Sequence, residues 1–212
     1  MNPYLDNKLQ EQIVHTTKSA PYSIHYTYAP IDMAPALYLH WHSEMEYLYL
    51  VEGELLFQIE NQTFLLHAKE GIFIPAELLH TAKNTGNTPV SFFAFVFSSS
   101  FLISSFDTTS YNTYILPVIH NNLQFATVLH ESISWQKMIL DFLHQIFFEE
   151  NQNELHIRGL ALLMWDVLYQ NHISKIGVEK SLQTLSAQLA PALSYIQQNY
   201  QQEVSLEELA FS

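Results

Sequence analysis

Residues 40–53 read HWHSEMEYLYLVEG, and this stretch decides the fold. From Glu46 to Gly53, apolar side chains recur at every second position, which is the period of a β-strand with one buried face. Glu46 lies on the same side of that strand as Leu48 and Leu50, because side chains alternate across a strand. The two leucines should face a core, so the carboxylate of Glu46 should face it too.

Two histidines stand just before this strand. His40 and His42 point to one side of an extended chain, together with Tyr38. Two imidazoles and the carboxylate of Glu46 are thus directed toward the inside of a β structure. A buried polar group without a partner is costly there, so these side chains are expected to bind something.

A second segment, GIFIPAELLHTAKN at residues 71–84, adds His80, with Asn84 on the same side. Three neutral imidazoles and one carboxylate form a ligand set suited to Zn, Fe, Mn, Ni or Co. Two other hypotheses stay open: direct contact with an organic ligand, and a hydrogen-bonded cluster that only braces the β structure. The candidate metal ligands are His40, His42, Glu46 and His80, and the candidate ligand-binding residues are Tyr38, His40, His42, Glu46, Leu48, His80 and Asn84.

Composition excludes several classes of protein. The 212 residues include 48% hydrophobic residues, enough for a folded core, and no cysteine, which excludes disulfides and thiolate chemistry. Eight Lys and Arg against 21 Asp and Glu give a net charge of −13, which repels nucleic-acid phosphates and anionic lipid. The start of the chain lacks the pattern of a signal peptide, and no apolar run approaches the roughly 20 residues that span a bilayer. We therefore expect a cytoplasmic protein that does not contact a membrane.

The hydrophobic period changes once along the chain. Residues 20–116 alternate like short strands, and after Pro117 a period near 3.6 predicts a helix with Trp135 near its start. A second helix, at residues 155–169, is apolar nearly all round. One side should cover the barrel, and the other is either a dimer interface or is covered by the first helix.

The last forty residues predict a linker and two more helices. Residues 185–200 have an apolar helical face, and Ser205 with Glu208 has capping-box spacing, so a helix should begin there. The sequence stops at Ser212, where that helix has barely begun, which suggests a fragment of a longer protein. Residues 181–212 contain no Lys or Arg, so we expect no binding to plain duplex DNA in a mobility-shift assay at low salt.

The two histidine segments resemble the two motifs of the cupin family. His40-x-His42-x3-Glu46-x6-Gly53 is similar to the first motif, and Gly71-x3-Pro75-x4-His80-x3-Asn84 is similar to the second. Ala34 and Glu77 stand at turn positions where the motifs usually have glycine. The resemblance implies an α+β protein whose first part is a double-stranded β-helix, a small jelly-roll barrel, with the four metal-ligand candidates converging inside.

The order of segments resembles AraC/XylS-type transcription regulators. LAPALSYIQQNYQQEVSLEELA, at residues 189–210, is similar to the start of their DNA-binding domain. The resemblance implies a cupin effector domain, a helical dimerisation region, and a helix-turn-helix domain that is largely absent here. The implied divisions are an N-terminal arm at 1–20, the effector domain at 21–117, the dimerisation segment at 118–172, a linker at 173–184 and the truncated helix-turn-helix domain at 185–212.

Two functional classes remain open. The first is the sensor part of a regulator, a homodimer that binds a sugar or other small metabolite in the barrel and touches DNA only through the missing domain. In the resembled family an N-terminal arm can close over the bound effector, but the composition of residues 1–20 does not show this. The second is a metal-dependent cupin enzyme, a dioxygenase or isomerase. The sequence favours the sensor, a non-enzyme, because it shows no further acid–base pair beside the site and Glu44 is the only close carboxylate. The remaining histidines are interpreted as surface or helix-side residues: His15, His67, His120, His130, His144, His156 and His172.

Overall fold

The computed structural model describes residues 4–16, 21–31, 33–104, 106–119, 126–149, 153–171 and 195. The predicted linker, the helix at residues 185–200 apart from Tyr195, and the capping box at Ser205 lie outside the described residues. Among the described residues, no helix is both long and apolar enough to cross a bilayer.

In the described ranges, nine strands form two antiparallel sheets. Their bounds are β1 Tyr22–Ala29, β2 Leu37–His40, β3 Met45–Glu52, β4 Glu54–Ile59, β5 Gln62–His67, β6 Gly71–Ile74, β7 His80–Asn84, β8 Val90–Phe97 and β9 Thr127–Leu129. One sheet has the order β1-β8-β3-β6-β9 and the other β2-β7-β4-β5. The inner faces of both sheets meet in one apolar cluster that includes Leu48, Leu50, Phe57 and Phe92. The predicted jelly-roll barrel and α+β class are confirmed.

Helices cover the outer face of the five-stranded sheet. They are α1 Ser99–Leu102, α2 Thr108–Ser110, a π-helical turn Tyr111–Ile115, α3 Leu116–Ile119, α4 Ser134–Phe148 and α5 Glu154–Asn171. A second apolar cluster joins α4 and α5 to the outward side chains of β3 and β8, including Tyr47, Phe95 and Phe97. Both helices predicted from the 3.6-residue period are therefore present.

The predicted end of the β region, at residue 116, is wrong. Strand structure stops at Phe97, and the described residues from 99 to 119 form short helices, with Asp107 accepting a hydrogen bond from the backbone of Ser110. A further strand, β9, then adds to β6 within the segment predicted to be helical. Short apolar runs do not distinguish strand from helix by period alone, which explains both errors.

Three turn positions hold the barrel and the helices in place. Gly53 has φ +89°, and a Cβ there would lie 2.6 Å from the carbonyl oxygen of Pro89. A Cβ on Gly71 would lie 2.8 Å from the oxygen of Leu48 and 3.0 Å from the side chain of Leu140, so this glycine permits α4 to approach the sheet. Glu77 takes φ +66°, the conformation for which the motif usually uses glycine.

Candidate functional site

Four polar side chains meet where the two sheets approach each other. His40 ends β2 and is the cross-strand partner of His80 at the start of β7. His42 lies in the turn that carries the chain from one sheet to the other, and Glu46 lies on the inner face of β3. All four residues are buried, with exposed fractions between 1% and 4%. The sequence placed these residues on one inner surface, and the structure brings them together.

The turn after β6 fixes one of these histidines. The backbone N–H of Glu77, in its left-handed conformation, donates to the carbonyl oxygen of His42 at 2.8 Å. This bond connects the second histidine segment to the first. Glu77, which stands where the motif usually has glycine, therefore still forms the turn that positions the site.

Backbone carbonyls set the tautomer of all three histidines. Nδ1 of His40 donates to the carbonyl oxygen of Tyr38 at 2.8 Å, Nδ1 of His80 to that of Leu78 at 2.8 Å, and Nδ1 of His42 to that of Glu44 at 3.0 Å. A carbonyl oxygen only accepts, so each Nδ1 carries the hydrogen. In a neutral ring, Nε2 then presents its lone pair.

The three lone pairs point to one place. The ligand nitrogens of His40, His42 and His80 lie within 4.8 Å of one another. Oε2 of Glu46 lies 3.3 Å from Nε2 of His42 and 3.5 Å from Nε2 of His80. Within the described part of the chain, Nε2 of His80 is buried without a hydrogen-bond partner. Acceptors facing acceptors in a buried space require a cation between them, either additional protons or a metal ion.

The ionisation states suit a metal. Burial, together with the neighbouring imidazole of His80, lowers the pKa of His40 to about 3, so its imidazole is neutral at neutral pH. Burial opposes the ionisation of Glu46, but the adjacent imidazoles of His42 and His80 outweigh it and hold the pKa of its carboxyl well below the usual value. Neutral imidazole and ionised carboxylate are the forms that bind divalent transition metals.

A carboxylate that the sequence did not reveal lies beside this cluster. Oε2 of Glu11 lies 3.6 Å from Nε2 of His40 and 2.5 Å from Nε2 of His15, and its side chain is only 5% exposed. Burial raises the pKa of Glu11, but hydrogen bonds from His15 and Tyr38 and the adjacent imidazole of His40 outweigh it and lower the pKa to about 2.

The prediction that His15 is a surface residue is wrong. His15 is 8% exposed, its ring centroid lies 5.3 Å from that of His42, and Nδ1 contacts Nε2 of His25 at 3.1 Å. Burial opposes its protonation, but the hydrogen bond to Glu11 raises its pKa. The expectation that Glu44 is the only carboxylate near the site is also wrong, because Glu11 lies beside His40. Glu11 and His15 lie four residues apart, like His42 and Glu46, but no sequence pattern fixes where a polar arm will lie.

Of the other predicted ligand-binding residues, Tyr38 and Leu48 lie beside the site or inside the barrel, whereas Asn84 lies away from the site. Tyr38 lies beside His40 with its ring tilted, the ring centroids being 4.8 Å apart, and its hydroxyl donates to Oε1 of Glu11. Leu48 is fully buried inside the barrel. Asn84 lies at the far end of β7, where its amide donates to the oxygen of Thr88 and accepts from the N–H of Gly86. Asn84 therefore stabilises a turn, and three residues of extended strand separate it from His80.

The pKa shifts predict an acid-sensitive fold. The unfolded chain takes up a proton on His40 near its ordinary pKa of 6.5, whereas the folded chain resists until about pH 3. Glu46 and Glu11 act in the same direction at lower pH, whereas His15, with a raised pKa, stabilises below 6.5 and loses that contribution as pH rises. We expect the free energy of unfolding of the metal-free protein to fall as pH is lowered from about 7 to about 4.

Urea denaturation at several pH values measures this dependence. His40→Gln removes the largest contribution between about pH 6 and pH 4 and should flatten that part of the profile, whereas His156→Gln on the exposed face of α5 should not. A wild-type profile without slope over this range would contradict the burial of a neutral His40.

The comparison with protein families agrees with this geometry. Residues 24–96 match the model described as Cupin domain. The chain contains a cupin domain. The match spans β1 to β8 and includes the four converging side chains.

Relatives extend the likeness beyond the barrel. The chain is 25% identical over 213 aligned positions to a protein of Bacillus subtilis (strain 168) named as an uncharacterized HTH-type transcriptional regulator, YdeC. The alignment covers 99% of this chain and 72% of that protein. These matches confirm the resemblance to AraC-type regulators with an N-terminal cupin domain, and they support the expectation that the chain is not an enzyme.

Two other matches are partial or distant. The protein named polyketide synthase CurC, from Streptomyces cyaneus, is 40% identical over 48 residues, which are 23% of this chain and 30% of that protein. The alignment with the solved structure of ToxT from Vibrio cholerae covers 90% of this chain and 70% of the ToxT chain, with a TM-score of 0.48 and 9% identity.

Proposed function

We propose that this chain is the sensor part of a transcription regulator, in which a divalent transition metal held by His40, His42, His80 and Glu46 forms part of a small-molecule site inside the barrel. The observation that carries the proposal is the convergence of three Nε2 lone pairs and a carboxylate with no donor between them. When bound, such a metal supplies positive charge and an attachment point for an effector oxygen or nitrogen. Zn, Fe, Mn, Ni and Co all suit this ligand set.

Strand β3 offers a physical route from the site to the helices. Glu46 faces the barrel, whereas its neighbour Tyr47 faces outward and contacts Phe73, with ring centroids 4.8 Å apart. Phe73 in turn contacts Trp165 of α5, at 6.0 Å between centroids. We infer that an effector biases the packing of α5 on the sheet, and that this change reaches a DNA-binding domain. Such a relay requires the effector to bind the two packings with different affinity.

The outer side of the helical pair supports the proposal of a homodimer. Leu163 is 50% exposed and Leu155 79% exposed on α5, and Met138 of α4 is 47% exposed. Exposed apolar side chains on two neighbouring helices are typical of a protein interface. Size-exclusion chromatography with light scattering on the full chain should give a dimer, and a strict monomer at high concentration would refute this part of the proposal.

Ligand screening distinguishes a sensor from an enzyme. The metal-loaded chain should be stabilised in thermal-shift assays by its effector among sugars and small acids. No turnover and no oxygen consumption should accompany that stabilisation. Turnover that disappears in Glu46→Gln would instead identify a metal-dependent enzyme.

A further inference from the structure

The segment 4–16, called the arm below, is fastened across the mouth of the barrel. The backbone N–H of Glu11 donates to the oxygen of Trp41 at 2.9 Å, and the N–H of Trp41 donates to the oxygen of Leu9 at 3.1 Å. The indole of Trp41 donates to the oxygen of Lys8 at 2.8 Å. Trp41 lies between the two site histidines of the first motif. The arm is thus hydrogen-bonded to the same piece of chain that presents the candidate ligands.

One carboxylate of the arm, that of Glu11, reaches the site. The oxygens of Glu11 lie beside Nε2 of His40, accept from Tyr38, and contact His15. Tyr38 and His40 belong to β2 and therefore stay with the barrel when the arm moves. His15 belongs to the arm and would leave together with Glu11. The barrel thus has a place that already holds a carboxylate, and two of the side chains that line it are not part of the arm.

We propose that Glu11 is an internal ligand of the barrel site, and that the effector carries a carboxylate that replaces the Glu11 carboxylate at Tyr38 and His40. This inference rests on the proposed function, because it names the chemical class of the effector. It also gives the arm a role opposite to that of a passive cover, since the arm competes with the effector for one place.

Hydrogen-bond balance favours a carboxylate over a neutral group. If Glu11 withdraws, the hydroxyl of Tyr38 loses its acceptor, and the metal proposed above at the histidine cluster would lose a neighbouring anion. A polar group left without its partner in a shielded site costs free energy, and a charge costs more. An incoming carboxylate restores both interactions. A neutral amide of the same shape restores only one.

Competition makes a quantitative prediction about the arm. An effector binds only when the arm has given up the contacts that Glu11 makes. The apparent affinity of the effector is therefore its intrinsic affinity multiplied by the fraction of chains whose arm is open. By the same linkage, a bound carboxylate must open the arm. The backbone N–H groups of Glu11 and Trp41 are hydrogen-bonded between arm and barrel, so their hydrogen exchange reports this opening.

The experiment uses the tag-free, metal-loaded full chain. Acetate, butyrate and benzoate are titrated against acetamide, butyramide and benzamide, with affinity measured by calorimetry and arm opening by hydrogen–deuterium exchange at Glu11 and Trp41. The carboxylates should accelerate exchange in the wild type, and Glu11→Gln should bind them about tenfold or more tightly. The amides should do neither. Glu52→Gln, at the exposed end of β3, should behave as wild type.

The outcomes separate this inference from the proposed function. Stoichiometric metal binding, with carboxylates bound equally by wild type and Glu11→Gln and no change in exchange, overturns the inference alone. Absence of metal from the wild type overturns the proposed function. Tyr38→Phe keeps the carboxylate of Glu11 but removes the hydroxyl that donates a hydrogen bond to it. In this variant the backbone amides of Glu11 and Trp41 should exchange faster than in the wild type even without any ligand. If Glu11→Gln does not fold, unchanged exchange in Tyr38→Phe overturns the inference.

Discussion

His80→Ala is expected to purify without stoichiometric metal, whereas the wild-type chain is expected to carry about one divalent ion per molecule. His80 is 1% exposed, and its Nε2 has no hydrogen-bond partner among the described residues. Changes to groups that merely support a metal ligand lower affinity by about 10- to 100-fold, so loss of a direct ligand should exceed that range. Elemental analysis of tag-free protein and competition with a chelating dye measure the effect.

Two further variants make this result interpretable. Glu46→Gln keeps the volume of the side chain and removes only its charge, so it should fold and still lose most metal affinity. His156→Ala removes an exposed histidine from α5 and should bind metal like the wild type. Equal metal content in wild type, His80→Ala and Glu46→Gln would show that any bound metal lies elsewhere.

Phe73→Ala should destabilise the chain by about 3 to 5 kcal/mol, a large part of the total stability of a domain. Phe73 is fully buried and lies between Tyr47 of β3 and Trp165 of α5. Its truncation opens a cavity where the sheet meets the helix. We therefore expect local loosening in addition to the global loss, seen as faster hydrogen exchange along α5 than the drop in global stability explains.

Phe57→Ala is the matched control for this prediction. Phe57 is equally buried but lies in the cluster between the two sheets. It should cost a similar free energy in urea denaturation without selective loosening of α5. If both variants loosen α5 equally, β3 and Phe73 are not the specific connection between the barrel and the helices.

The strands were predicted from local periodicity, and the resemblance to the cupin motifs implied that they form a jelly-roll barrel. Alternation assigns Glu46 to a buried face and puts His40 and His42 on one side of their strand, whereas the convergence of His80 with them was implied by the cupin resemblance. The helices α4 and α5 were predicted for the same reason, since a 3.6-residue period needs no information about distant contacts. Local periodicity also explains why Glu46 could be assigned to the interior before any coordinates were known.

The remaining parts of the site depend on distant contacts. Glu11 and His15 are buried only because the arm pairs with Trp41, and a polar segment carries no periodicity that predicts such a docking. Asn84 was predicted at the site from its motif position, but its amide bonds within the 84–88 turn. The same limit applies to β9, a three-residue strand that exists only because it pairs with β6.

The most direct test of the metal site is X-ray absorption spectroscopy on the tag-free chain loaded with one equivalent of zinc. The convergence of His40, His42, His80 and Glu46 predicts a first shell of three imidazole nitrogens and carboxylate oxygen at about 2.0 to 2.2 Å. The outer-shell scattering of three histidine rings should be present in the wild type and weakened in His80→Ala. A spectrum without imidazole scattering, or protein that does not retain zinc after desalting, would contradict the assignment of these four side chains to a metal.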